Sequence, residues 1–409
     1  MFIAPVNVAR SRAPHRAVQC VVALLALLFA IQPGLTHAAQ PQSGPQAVYF
    51  SQTGHGLDNR YGFLDYWRAN GQINRFGAPI TEALEEDGRP VQYFERARFE
   101  YHLEAQGTPF EVQLGLLGHE AAAGQQFPVG TQMAGRTFPE TGYTVFGKFL
   151  DYWNNWGSMA AFGYPISESF VTTLPDGSNV AVQYFERVRL EYHPENVPEF
   201  YRERRQANNT RNLMLNEITI GKLGSEMAQQ HGYDTAPVAR QAGVPEWSPA
   251  LWPQRIDVNL TTQQLVAYEG NLPVLHAPVS TGRDGFETAQ GSFHVYAKLL
   301  YDDMTGTLQG EEYDVRKVPY VMYFHEGYAL HGTYWHDLFG TGVRASHGCV
   351  NLPMDKAQWL WEWEQPAWSQ AKASRISPSL KPKNDAEAAL QPLEGLATFQ
   401  QGATVVVHE

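Results

Sequence analysis

From Arg255 onward, apolar and polar positions alternate in twos. Ile256, Val258 and Leu260 each follow a polar neighbour, the pattern of a strand with one buried face. Leu265 to Tyr268, Pro273 to Ser280, Phe293 to Leu299, Val318 to Phe324, Tyr328 to His331 and Thr404 to His408 read as further strands between turn residues. Pro353 to Glu364 predicts a helix with Ala357, Leu360 and Trp361 on one side. Residues 251–409 therefore read as a mostly β domain with few helices, a sandwich or barrel. Asn216 to Gln230 carries Ile218, Ile220, Leu223 and Met227 at helical spacing. Pro237, Gly243, Pro245, Pro249 and Pro253 follow it. Residues 201–250 are thus expected to be a helix and a linker, with a domain boundary near Leu251.

The first half repeats itself. Phe63-Leu64-Asp65-Tyr66-Trp67 recurs as Phe149-Leu150-Asp151-Tyr152-Trp153, and Gln92-Tyr93-Phe94-Glu95-Arg96 as Gln183-Tyr184-Phe185-Glu186-Arg187. Phe76-Gly77-Ala78-Pro79-Ile80 returns as Phe162-Gly163-Tyr164-Pro165-Ile166, and Glu100-Tyr101-His102 as Glu191-Tyr192-His193. The second copy is lengthened near Leu174-Pro175-Asp176-Gly177, a turn composition that tolerates insertion. Each copy predicts a short aromatic helix, a turn at the FG-x-P segment and two short strands flanking Glu-Arg. Two small α+β units, 45–130 and 131–200, are expected to pack against each other. The repeated Glu-Arg and Glu-Tyr-His residues read as ion pairs and half-buried aromatics copied with the fold.

The start changes the picture of where the chain works. Arg10, Arg12 and Arg16 precede an apolar run from Ala17 to Ile31, followed by Thr36-His37-Ala38. A basic region, a short apolar core and a small-residue exit describe a secretory signal over 1–38, so an extracytoplasmic location is expected. Cys20 precedes most of the apolar run, which argues against lipidation. Removing the segment leaves one cysteine, Cys349, which has no internal partner. The net charge of −12 gives no pull toward phosphate, which excludes nucleic acid as the expected partner.

That thiol sits in Ser346-His347-Gly348-Cys349-Val350-Asn351, downstream of His331-Gly332-Thr333-Tyr334-Trp335-His336. A free thiol ionises near pH 8.5, and a neighbouring imidazole can take its proton. Gly348 lets backbone N–H groups approach a substrate oxygen, as an oxyanion hole requires. The residues predict a cysteine nucleophile with a histidine base and acyl-transfer chemistry. A zinc site from His331, His336, His347 and Cys349 is the rival, but neither Cys-x-x-Cys nor HExxH spacing is present. No cofactor or metal is expected. Tyr334, Trp335 and Arg344 are expected to line the cleft, with Arg344 placed for a substrate carboxylate.

The motif H-G-x(13)-S-H-G-C-V-N, with Val279-Ser280-Thr281-Gly282 and Thr288-Ala289-Gln290-Gly291-Ser292-Phe293 upstream, resembles the signature of the L,D-transpeptidase catalytic domain. The likeness spans about Arg255 to Val407. The W…G…FG-x-P…V-Q-x-F-E-R layout of residues 60–195 resembles, loosely, the LGFP-type repeats of exported bacterial proteins that bind cell wall. The first resemblance implies an enzyme acting on peptidoglycan stem peptides outside the cytoplasm. Cys349 would attack a tetrapeptide, D-Ala would leave, and an amine of another stem would take the acyl group in a 3→3 cross-link. It implies His331 as base, oriented by the Gly332 carbonyl. Gly348 and Cys349 N–H groups would form the oxyanion hole, with His347 shaping the thiolate's field. Ser346 and Asn351 border the substrate, with Ser346 read as more structural than reactive and Asn351 matching one branch of the family. Water as acceptor would give an L,D-carboxypeptidase. A wall-binding protein with an inactive catalytic domain, its repeats holding cell-wall glycan, is the other reading.

Overall fold

A computed structural model of the chain describes residues 44–130, 134–208, 217–364 and 402–409. The expected secretory segment lies outside these. Among the described residues no helix is long and apolar enough to cross a membrane.

The first copy runs β1 (Ala47–Phe50), β2 (His55–Asp58), α1 (Phe63–Ala69), α2 (Gln72–Phe76), β3 (Leu84–Glu86), β4 (Arg89–Tyr93), β5 (Arg98–Tyr101), β6 (Val112–Leu114) and α3 (Leu117–Ala121). The same order returns as β7 (Arg136–Thr137), β8 (Thr144–Val145), α4 (Gly147–Asn155), α5 (Ser158–Phe162), β9 (Phe170–Thr173), β10 (Asn179–Tyr184) and β11 (Arg189–Tyr192). The helix α6 (Glu199–Asn208) is then inserted, and β12 (Ile218–Ile220) and α7 (Leu223–Gln230) close the copy. The helix expected from 216 to 230 is thus divided. Ile218 and Ile220 also fit a period of two, and pairing with Tyr192 and Leu190 decides for a strand. That strand lies beyond the boundary at 200 drawn from sequence.

Identical residues make identical bonds in the two copies. Trp67 Nε1 donates to the Gly77 carbonyl at 3.0 Å, and Trp153 Nε1 to that of Gly163 at 3.2 Å. Gln92 donates to Gly56 and Thr81 carbonyls, and Gln183 to those of Thr144 and Ser167. Each copy's last helix docks on the other copy. Gly118 N–H donates to Glu186 O at 3.1 Å, and Ser225 N–H to Glu95 O at 3.0 Å. Phe127, beyond α3, stacks on Tyr184 of the second copy, and Tyr233, beyond α7, packs on Tyr93 of the first. The expected linker also packs: Tyr49 N–H donates to Pro245 O, Trp247 N–H to Tyr49 O, and the Trp247 ring stacks on Phe50.

The C-terminal part is a two-sheet β structure. Its strands are β13 (Gln254–Asn259), β14 (Gln264–Glu269), β15 (Leu272–Pro278), β16 (Gly291–His294), β17 (Ala297–Leu308), β18 (Glu311–His325), β19 (Tyr328–Gly332) and β20 (Val350–Leu352). Helix α8 (Met354–Trp363) and β21 (Thr404–His408) follow. One sheet has the order β15-β14-β13-β21-β16 and the other β17-β18-β19-β20. Ile256, Val258, Leu265, Ala267, Val405 and Val407 face the shared core with Met322, Leu330, Val350, Leu352 and Leu360. On α8 the buried tryptophans are Trp359 and Trp363, and Trp361 is only half-buried. The Phe293–Leu299 stretch, expected as one strand, breaks between β16 and β17 and joins both sheets. β17 and β18 extend far beyond their apolar cores as a long hairpin. Its turn, Gln309-Gly310, has positive φ at both residues, which matches the right-handed twist of the strands.

The two halves meet through a buried carboxylate. Leu265, Ala267 and Glu269 follow one another on the inward face of β14, and Glu269 is 2% exposed. Arg68 of α1 donates from Nε to Glu269 Oε2 at 2.6 Å and from Nη2 to its carbonyl at 3.1 Å. Gln72 and Trp363 donate to Oε1 at 2.7 and 2.9 Å. The Trp252 ring covers the guanidinium at 3.7 Å. Removing one member strands a buried charge. Glu269→Gln and Arg68→Met should each cost about 3–5 kcal/mol, and the double variant should cost clearly less than their sum. Urea unfolding of the four proteins measures this, and strict additivity would refute the coupling.

Candidate active site

Register sets the site. β19 and β20 are parallel, with Leu330 opposite Val350 and His331 opposite Asn351. Side chains alternate along a strand. Leu330, Val350 and Leu352 therefore enter the main core, while Ala329, His331, Asn351 and, two residues before it, Cys349 project from the other face. Packing agrees: Ala329, Cys349 and Trp335 share one cluster with Leu299, Val318, Val321 and Tyr323. Trp335 also stands 5.7 Å from the His331 ring.

His331 is buried, and its Nδ1 lies 3.1 Å from the Gly332 carbonyl. A carbonyl only accepts, so Nδ1 carries the hydrogen and Nε2 the lone pair. Gly332 is closely packed: a Cβ there would meet Met354 Sδ at 2.9 Å and Pro319 Cγ at 3.0 Å, so those side chains would have to shift. Burial pulls the His331 imidazole down to about 4 and pushes the Cys349 thiol up to about 11. The Ala329 N–H, directed at the sulfur, opposes that rise. The sulfur lies 3.9 Å from the Gly327 carbonyl oxygen. Both shifts favour the neutral forms, a thiol and an uncharged imidazole. Burial disfavours both charged forms.

The loop before Cys349 is clamped by Ser346. Its hydroxyl donates to the Cys349 carbonyl at 2.6 Å and accepts from Gly348 N–H at 3.0 Å. Ser346 is therefore a brace rather than a substrate contact, and Gly348 N–H is already used. Of the two N–H groups expected to form an oxyanion hole, only that of Cys349 is left for it. Gly348 has φ +115°, and a Cβ would come within 2.2 Å of the Tyr328 ring. The turn closes on that ring only with glycine.

Other expected residues fall elsewhere. Tyr334 does not line the cleft: it is buried, and its hydroxyl donates to Arg316 O at 2.6 Å among Val197, Phe200, Tyr201 and Met354. Tyr201, from α6, adds a bond to Lys317 O at 2.8 Å, so the second copy grips the base of the hairpin. Arg344 Nη2 donates to Leu260 O at 2.9 Å and lies 3.6 Å from the Glu409 carboxylate. The Asn351 amide meets His336 Nε2 at 2.8 Å. His347 lies between Arg283 Nη2 at 3.0 Å and Glu311 Oε2 at 3.2 Å, edge-on to Phe286. Among the described residues no three His, Cys, Asp or Glu side chains converge to hold a metal ion.

Sequence reading missed the surroundings of the sulfur. Tyr296, Tyr313, Tyr323 and Tyr328 all lie within electrostatic reach of Cys349. Tyr323 is anchored on Asp302 at 2.6 Å. They come from β18, β19 and the link between β16 and β17, and no local spacing joins them. Arg283 and Glu311 were missed too. The available signal for Arg283 was its place directly after Val279-Ser280-Thr281-Gly282.

Against known proteins, residues 253–392 match the YkuD family, the L,D-transpeptidase catalytic domain. A comparison with curated proteins finds no match. Among solved structures, the chain is similar to the L,D-transpeptidase LdtMt1 in complex with imipenem (18% identity, 38% of this chain, 59% of that one, TM-score 0.28). It is also similar to L,D-transpeptidase 3 from Mycobacterium tuberculosis in complex with a faropenem-derived adduct (15%, 41% and 62%, 0.28). A third is the catalytic domain of the E. faecium L,D-transpeptidase acylated by ertapenem (27%, 27% and 88%, 0.25). The chain spans about three fifths of the length of the first two. The family match falls on the C-terminal part alone, the two-sheet β structure that holds His331 and Cys349.

Two pH effects follow from the shifted groups. Alkylation of Cys349 by iodoacetamide, read on its own peptide by mass spectrometry, should rise about tenfold per pH unit from pH 7 to about 10 without levelling near 8.5. A plateau in the neutral range would mean a stable thiolate. His331 resists protonation when folded, so the unfolded chain binds more protons between pH 6.5 and about 4. Stability should fall as pH drops through that window, by about 3 kcal/mol from this group. His331→Asn should flatten that part of the unfolding profile.

Proposed function

We propose that this chain is an exported cysteine L,D-transpeptidase that remodels peptidoglycan. One observation carries the reading. Within the stretch that matches the catalytic family, Cys349 and His331 project from the same face of the β19–β20 pair, and the Gly332 carbonyl leaves the imidazole lone pair on Nε2.

In this reading a tetrapeptide stem lies over the sulfur with its terminal D-Ala as leaving group. The Cys349 sulfur attacks the carbonyl of the L-configured centre of the diamino acid. The S–C bond forms as the thiol proton passes to His331 Nε2, so neither buried group carries an unopposed charge for long. The Cys349 N–H holds the developing oxyanion. The C–N bond then breaks, His331 returns the proton to the departing amine, and D-Ala leaves a thioester. A side-chain amine of a second stem attacks the thioester and gives up its proton through His331. The S–C bond breaks and a 3→3 linkage remains. Water in place of the amine gives the carboxypeptidase product. The repeats hold the enzyme on the wall, where a groove lined by His119, Phe127, Tyr143 and Ile166 offers aromatic faces to a sugar ring.

Carbapenems present a strained carbonyl to the same sulfur. Incubated with one, the protein should gain the mass of one opened drug molecule, and Cys349→Ala should gain none. No adduct on folded protein would defeat the proposal and favour a wall-binding protein with an inactive domain. His331→Ala should slow acylation by about a hundredfold or more while the melting curve is kept. Mass spectrometry of products from defined tetrapeptide stems distinguishes cross-linking from trimming.

A further inference from the structure

Arg283 is tied to the loop that carries the nucleophile. Its N–H donates to the Ser346 carbonyl at 3.1 Å, and Gly282 bridges Ser346 in parallel. Its guanidinium lies over the Phe286 ring at 4.7 Å, with Nη2 3.0 Å from His347 Nε2. Tyr313, which stacks on His347 at 5.8 Å, is within electrostatic reach of the Cys349 sulfur. The guanidinium is thus linked through His347 and Tyr313 to the surroundings of the sulfur.

The group that meets Arg283 there is a carboxylate from another element. Glu311, at the start of β18 beside the hairpin turn, pairs with Nη2. Gln309 Nε2 donates to the Gly285 carbonyl at 2.7 Å and holds the turn in place. The pair is open to solvent, with side chains 38% and 50% exposed, and such pairs contribute only about 0–1 kcal/mol. Glu311 leaves the guanidinium incompletely used: Arg283 Nε is buried without a partner. A carboxylate bound side-on would take Nε and Nη2 together, the bidentate arrangement that arginine favours. The pair is too weak to serve the fold and leaves open the bond that a ligand would complete.

We infer that Arg283 reads the terminal carboxylate of the donor peptide, and that Glu311 occupies this place until the peptide displaces it. The inference rests on the peptidoglycan reading and names the residue that would select a free peptide end. It assigns to Arg283, whose backbone is tied to the Cys349 loop, the role expected from sequence for Arg344.

The test is binding to full-length protein carrying Cys349→Ala, by calorimetry, of a tetrapeptide stem ending in D-Ala and of the same stem with that end amidated. The free acid should bind about tenfold more tightly than the amide. Arg283→Gln should erase the difference by weakening the acid alone. Glu311→Gln should strengthen acid binding severalfold, because it removes the competitor, and a merely structural pair would not produce that gain. Equal binding of acid and amide, or an unchanged preference in Arg283→Gln, overturns the inference. A carbapenem adduct on Cys349 without that preference would leave the enzyme reading standing and this one refuted. A preference that depends on Arg283 without any adduct would do the reverse.

Discussion

The Glu269 carboxylate constrains the whole molecule. It stands on the core side of β14, where Leu265 and Ala267 precede it, and a lone charge there would cost several kcal/mol. It is tolerated because Arg68 and Gln72 from the first repeat and Trp363 from the last described helix converge on it. The repeats and the catalytic part therefore share a core, and neither half satisfies its buried polar groups alone. The second copy adds its own hold on α8, with Lys356 Nζ over the Trp156 ring at 3.1 Å. Through Tyr201 it also holds the hairpin that walls the site.

Burial shapes the chemistry of the sulfur in a second way. Cys349 is flanked by tyrosines and His331 is enclosed, so both groups are driven toward their neutral forms. A resting thiolate would react with any exposed electrophile. In the proposed mechanism the thiol gives up its proton as a substrate carbonyl accepts the sulfur. The Gly332 carbonyl fixes which nitrogen receives that proton, and the Ser346 brace fixes the backbone from which the sulfur projects. Both lie beside glycines: Gly332 is closely packed, and Gly348, at φ +115°, leaves no room for a side chain against Tyr328.

Part of the site was legible in the chain. The thiol, the two motif histidines and the flanking glycines lie in two short segments, and chemistry limits what such residues can do together. Ser346 and Gly348 were placed near Cys349 correctly, but their mutual hydrogen bond decides whether they face substrate, and spacing is silent on that. Tyr334 and Arg344 look like cleft residues because they stand between the motifs. In space they anchor Arg316 and Glu409 instead.

Alternation of apolar residues placed β13, because a strand with one buried face repeats in twos, and short apolar runs bounded by turn residues placed β14, β19 and β21. The duplicated motifs were likewise enough to foresee two similar units. Period alone could not separate the strand Ile218–Ile220 from a helix, since isoleucines two apart suit both, and only pairing with β11 decides. Nor could it show that each copy lends its last helix to the other, or that Glu269, Arg68 and Trp363 meet. Those contacts join residues far apart in the chain, 201 positions for Arg68 and Glu269 and 94 for Trp363 and Glu269. Local sequence determines which face of an element is apolar, whereas the partner of a buried charge is settled only when distant faces come together and exclude water.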